Sequence, residues 1–185
     1  MPKHYVIATA VMLVLIVSLA TIPPLVVSVW ASNGAGDTVN QIQTGQNIGV
    51  HLYFGDRTGN YLISEKRNIV QMGEIENVAQ QIIEALISGP KQDLVSALPS
   101  GTSLRAVYFT ADGTCYVDFS SAVSENHPGG CKAEILTLYS VVNSLILNMP
   151  EIKSVKILIE GNESQTLAGH IDIQTALRAN MLIIR

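Results

Sequence analysis

From Tyr5 to Trp30 the chain carries no Asp, Glu, Lys or Arg, and Val6 to Ala20 is almost entirely aliphatic. About 20 apolar residues are enough to cross a hydrocarbon core of about 30 Å. Tyr5–Val29 is therefore long enough to span a bilayer even if Pro23 and Pro24 bend or end the helix. The remainder of a 185-residue chain is too small to surround such a run as a core helix. Lys3 is the only clear positive flank, which orients the N-terminus inward and the rest of the chain outward. A signal peptide is the alternative, because Val29, Trp30 and Ala31 precede Ser32 where a signal peptidase would cut. Trp30 otherwise reads as an interfacial anchor. No cysteine lies at the end of the apolar run, where a bacterial lipoprotein carries its lipid-bearing cysteine. The expectation is a protein of the bacterial cell membrane whose domain is extracytoplasmic, or one secreted or periplasmic after cleavage.

This leaves one ordinary domain. Residues 1–31 are the anchor or signal. Residues 32–49, with Gly34, Gly36 and Gly45 among Asn and Gln, have the composition of a flexible tether. Residues 50–185 are the domain. A net charge of −4 and basic residues scattered singly give no phosphate-binding patch, which argues against nucleic acid.

Within the domain Val50, Leu52 and Phe54 alternate with His51 and Tyr53, the period of a half-buried strand. Tyr61 to Val70 is a second strand, its charges marking an edge or a partly solvated hairpin arm. Ile75, Val78, Ala79, Ile82, Ile83 and Leu86 recur at helical spacing, and Gly89 and Pro90 stop that helix. Leu104–Thr110 and Thr114–Phe119 flank an Asp112-Gly113 turn, a hairpin signature. Ser120 to Gly130 is polar and irregular. A second helix runs from Cys131 to Asn148 and ends at Pro150, and Val155, Ile157 and Ile159 mark a last strand. This order predicts an α+β sandwich of two layers, a mixed sheet with two helices on one face.

The segments VHLYFGDRTGNYLISEKRNI, ALISGP, ALPSGT, GTCYVDFSSAV, HPGG, LYSVVNSLI and LAGHIDI, in this order between Ile48 and Ala176, resemble the GerMN domain of sporulation and germination proteins. The resemblance implies a non-enzymatic envelope module with a fold similar to ring-building domains. A single such domain is present, without the tandem pair or the attached hydrolase of some relatives.

Catalysis needs a nucleophile, base or metal whose partners can be placed together. Asp118, at a strand end, reads as a cap on a turn more readily than as an acid or base. His170 and Asp172 are two ligands without a third, too few for a metal. His127 precedes Pro128-Gly129-Gly130 at a helix entry that could attract an anion. Asn143 interrupts an apolar helix face and is expected to bond backbone nearby. Gly169, His170, Asp172, Asp118 and Asn143 are the positions matching the family motifs, read as structural. Ser88, Ser120 and Ser121 lack a paired histidine, and phosphate loops are absent.

No cofactor, metal or catalytic role is assigned. The expected function is a structural or interaction module acting on envelope proteins or on itself. A binding module for peptidoglycan glycan or a small ligand is the alternative, and a hydrolase the remotest. Glu65, Lys66 and Arg67 are the expected interaction surface, with Tyr53, Tyr108 and Tyr116 on an exposed sheet face. Cys115 and Cys131, the only cysteines of an exported chain, are a candidate disulfide.

Overall fold

Period-two and period-3.6 patterning resolve into β1 (Gln46–Gly55), β2 (Leu62–Gln71), α1 (Ile75–Ile87), β3 (Leu104–Phe109), β4 (Thr114–Phe119), α2 (Ala122–Glu125), α3 (Cys131–Ile146) and β5 (Ser154–Ile159), with a 3-10 turn at Met181–Ile183. The structure, a computed structural model, describes residues 45–71 and 73–185. The expected anchor or signal at 1–31, with Trp30, and the tether as far as Thr44 lie outside the described residues. Among the described residues no helix is long and apolar enough to cross a membrane. β1 begins at Gln46, ahead of the expected start at Val50, so the last residues assigned to the tether belong to the strand. The segment read as irregular, Ser120 to Gly130, contains the short helix α2.

The fold is α+β, but the strands form two sheets where one was expected. β1 and β2 make an antiparallel hairpin, in register from Gly55↔Leu62 to Gln46↔Gln71. β3, β4 and β5 make a mixed sheet in which β3 and β4 are antiparallel and β4 and β5 parallel. The cause of the separation is a helix. In an antiparallel pair alternate residues turn their N–H and C=O away from the partner strand. On β1 those residues include His51, Tyr53 and Gly55, and α3 with the turn after it meets the first two with side chains. Asn148 accepts from His51 N–H (2.8 Å) and donates to its carbonyl (2.7 Å). Ser144 accepts from Tyr53 N–H (3.0 Å), and Ser140 donates to Tyr53 carbonyl (2.6 Å). Gly55 exchanges both bonds with Val95. Residues at i, i+4 and i+8 of a helix lie on one face, so this polar stripe runs along the strand and ends the sheet.

α1 buries Val78, Ala79, Ile82, Ile83 and Leu86, the predicted face, and packs on β1, β2 and β3. α3 packs on α1, β1 and β5 and is buried on more than one side, its polar Glu134, Thr137, Ser140, Asn143 and Ser144 included. Cys115, Val117 and Phe119 of β4 and Val155 and Ile157 of β5 turn one face into the same core. The hairpin between β3 and β4 turns at Gly113, with φ +91°, where an added Cβ would lie 2.9 Å from the carbonyl of Glu151.

Cys115 and Cys131 are both free, which overturns the expected disulfide. Cys131 opens α3, a helix of 16 residues and so about 24 Å long. Cys115 lies at the other end, beside the turn that receives the chain leaving α3, where Lys153 N–H donates to Gly113 carbonyl at 2.8 Å. A disulfide needs Cα atoms within about 7 Å. Burial, and secondarily Glu76, pushes the Cys115 thiol up to about 12.

Candidate functional site

Glu65, Lys66 and Arg67 do not form a common surface. Alternation on β2 sends Lys66 to solvent and Glu65 and Arg67 the other way, and Glu65 is 1% exposed. Its carboxylate accepts from Lys91 N–H (3.0 Å), Gln92 N–H (2.8 Å) and Arg67 Nε, while Arg67 Nη2 donates to Gly89 carbonyl (2.9 Å). Burial pushes Glu65 up, but the Gln92 amide, Arg67 and the Lys91 amide outweigh it and hold the carboxyl below its ordinary value. The pair therefore fastens the loop after α1.

The same arrangement recurs at each polar position the sequence singles out. Asp118 accepts from Gly161 N–H (2.8 Å) and from Arg105 Nε (3.1 Å), and Arg105 also reaches Glu160. It caps a turn, but the turn that leaves β5, not the one that follows β4. Asn143, fully buried, donates to Asn180 carbonyl and accepts from Asn180 N–H, both at 2.9 Å. Its partner is the distant C-terminal tail, not neighbouring backbone.

Glu134 of α3 is the group that sequence reading missed. It is 0% exposed, and its oxygens accept from the N–H groups of Leu167, Ala168, His170 and Ile171 at 2.8–3.2 Å. His170 Nδ1 lies 3.2 Å from the same carboxylate. Burial pushes Glu134 up, but the amides of Ala168, Ile171 and His170 and the His170 ring win, so its pKa is lowered. Gly169 supplies the positive φ of +99° that the wrap requires. His170 and Asp172 are engaged with different partners, since Asp172 accepts from Gln174 N–H at 2.8 Å. No group of three or more His, Cys, Asp or Glu able to hold a metal occurs among the described residues.

His127 is held by a chain of bonds. Gly129 N–H donates to Nδ1 (3.0 Å), which leaves Nε2–H to donate to Thr137 Oγ1 (3.1 Å), whose own proton goes to Ala97 carbonyl (2.6 Å). Burial lowers its pKa. Beside it, the segments 55–59, 95–100 and 126–137 enclose an open cleft of about 720 Å³ at the entry to α3, with Leu98 and Leu136 apolar and Asp56 and Lys132 charged. No aromatic side chain lines it. Asp56 is held near pKa 2 by the Thr58 hydroxyl and by the Tyr61 and Asn60 amides. The serines are likewise spent on backbone: Ser88 Oγ donates to Glu84 carbonyl, and Ser120 Oγ accepts from Ser103 N–H. Of the tyrosines placed on an exposed sheet face, Tyr53 is buried, Tyr116 half-buried and Tyr108 exposed.

The model of the family described as Germane, sporulation and spore germination, matches residues 51–165. Among solved structures, the chain is similar to a candidate lipoprotein from Clostridium perfringens, at 27% identity and TM-score 0.52, over 71% of this chain and 87% of that one. It is similar to the first GerMN domain of the sporulation protein GerM from Bacillus subtilis, at 25% identity and TM-score 0.56, over 71% and 97%. The tandem GerMN domains of that protein share its fold, at 21% identity and TM-score 0.54, over 71% and 46%. No curated protein matches the chain.

Proposed function

Because the chain belongs to the Germane family of sporulation and spore germination, we propose that it is a non-enzymatic module of the bacterial envelope that works by binding other proteins. One observation supports this most. Glu65, Asp118, Glu134, Asn143 and His127 each spend their polar atoms on loop or tail backbone, on a neighbouring ion pair or, for His127, on the Thr137 hydroxyl as well. A general acid or base needs a site within hydrogen-bond reach of substrate, and these groups already face inward. The Clostridium perfringens relative is described as a candidate lipoprotein. This chain, whose cysteines are Cys115 and Cys131 alone, reaches the envelope instead through Tyr5–Val29. The test pairs two measurements on the full chain: release of soluble fragments from peptidoglycan, and cross-linking of the chain in cells followed by mass spectrometry. No fragment release and a reproducible envelope protein cross-linked to the domain support the module. Turnover that disappears in folded Asp118→Asn or His170→Gln variants overturns it.

The cleft favours a second reading, a small-ligand site with an apolar floor and charged rim. Titration of wall fragments or small carboxylates, followed by the amide shifts of Gly129 to Lys132, tests it; shifts confined elsewhere dismiss it.

A further inference from the structure

We propose that β3 docks against β3 of a second copy of this chain, the two strands running antiparallel about a two-fold axis at Val107 and joining two three-stranded sheets into one. This rests on the protein-binding reading above and specifies its surface. Thr110 N–H donates to Thr114 carbonyl, and the register pairs Tyr108 with Tyr116 and Val107 with Val117. Bonded and non-bonded pairs alternate in such a ladder, so Val107 and Phe109 turn their N–H and C=O outward. Among the described residues neither has a backbone partner on that side.

The other edges are guarded in part. β1 is met by Ser140, Ser144, Asn148 and Val95. On β2, Gln81 takes both the N–H and the carbonyl of Val70, and Arg185 N–H takes the carbonyl of Leu62. Between them stands exposed Lys66, a charge of the kind that blunts edges. On β5, Val155 exchanges both bonds with Leu177, and Ile159 bonds Asn162. On β3 the bulge between Leu104 and Ala106 precedes the open stretch, and Ala106–Phe109 holds neither Lys nor Pro.

The strand is complementary to itself. An axis at Val107 sets Ala106 of each copy opposite Tyr108 of the other, and Val107 opposite Val107, where the two can exchange both N–H···O bonds. Tyr108 is 53% exposed, and the small Ala106 leaves room for its ring. Arg105, held by Asp118 and Glu160, keeps its charge off the pairing line.

The experiment is sedimentation of the full chain across a range of concentrations, with amide hydrogen exchange at each. The expected result is a reversible dimer whose formation slows exchange at Val107 and Phe109. Tyr108→Lys, at an exposed site, should weaken association roughly tenfold or more while leaving the melting temperature of the dilute monomer unchanged. Val107→Pro removes an N–H unused in the monomer and should act likewise. A chain that stays monomeric at millimolar concentration overturns the proposal, as does a dimer with unaltered exchange at Val107 and Phe109. Protection of those amides at every dilution identifies an intramolecular occupant and also overturns it. A monomer that still cross-links to another envelope protein leaves the module reading standing and refutes only the self-pairing.

Discussion

Replacing Glu134 by alanine removes one buried carboxylate and strands the amides that converge on it. Leu167 is buried, so its N–H finds no water once its acceptor is gone, a loss of about 1–3 kcal/mol. Ala168, His170 and Ile171 lie in a half-open loop and recover water. Each then forfeits the difference between a charge-assisted bond and a hydrated one, about 0.5–1 kcal/mol. The total, about 2.5–6 kcal/mol, is a large part of the stability of a domain this size and lowers the melting temperature by roughly 10–20 °C. Glu134→Gln keeps an acceptor for Leu167, Ala168 and Ile171 but turns an NH₂ toward His170, and should cost about 1–2 kcal/mol. Thermal melts by circular dichroism, with exchange rates at residues 167–171, measure both. The pH dependence has a definite sign. Glu134 and Glu65 are held below their ordinary 4.5, so the unfolded chain binds more protons than the folded one on acidification. Their contribution is complete above the unfolded pKa and disappears as pH falls through the folded values, and Glu134→Ala should flatten that acid limb. An alanine variant that melts within a few degrees of the parent, with unchanged exchange at 167–171, refutes the reasoning.

Without reductant, the denatured chain should take two alkyl groups, since both thiols are free; in the folded chain only Cys131 should react quickly, and protection of both in the denatured state by mass spectrometry would reinstate the disulfide. Asn143→Ala should release the tail held at Asn180, costing about 1–3 kcal/mol and accelerating tryptic cleavage after Arg178; an unchanged digestion rate contradicts the tether. Gly113→Ala should lose about 2–3 kcal/mol in a urea melt, because the φ and the Glu151 carbonyl both oppose a side chain there; a shift below about 0.5 kcal/mol speaks against that turn.

The elements are legible because their periodicities are local: α1 and β4 lie where spacing and the Asp-Gly turn put them. The division into two sheets is not, because it depends on Ser140, Ser144 and Asn148 meeting a strand almost a hundred residues away. Their four-residue spacing along α3 and the turn after it is the available signal. Glu134 reads in sequence as an ordinary first-turn acid favoured by the helix dipole, and nothing near it announces the loop at 167–171. Glu65 and Arg67 read as a solvated pair because they are charged, although their separation by two residues already places them together on one side of the strand and Lys66 on the other. The cleft depends on three loops, whose approach no local pattern encodes.

The polar stripe of α3 also sets an order of events. β1 leaves the ribosome well before the helix that completes it, the separations being 97, 91 and 87 residues for the bonds from His51 and Tyr53. Closing contacts of that length is slow compared with forming the β1–β2 hairpin. The hairpin consequently waits with an unfinished edge until α3 arrives, a period in which a chaperone or another nascent chain can engage it. Pulse-labelling during refolding should find His51 and Tyr53 amides protected in the same phase as the amides of α3; protection of both in the earlier hairpin phase would show that the edge closes by another route.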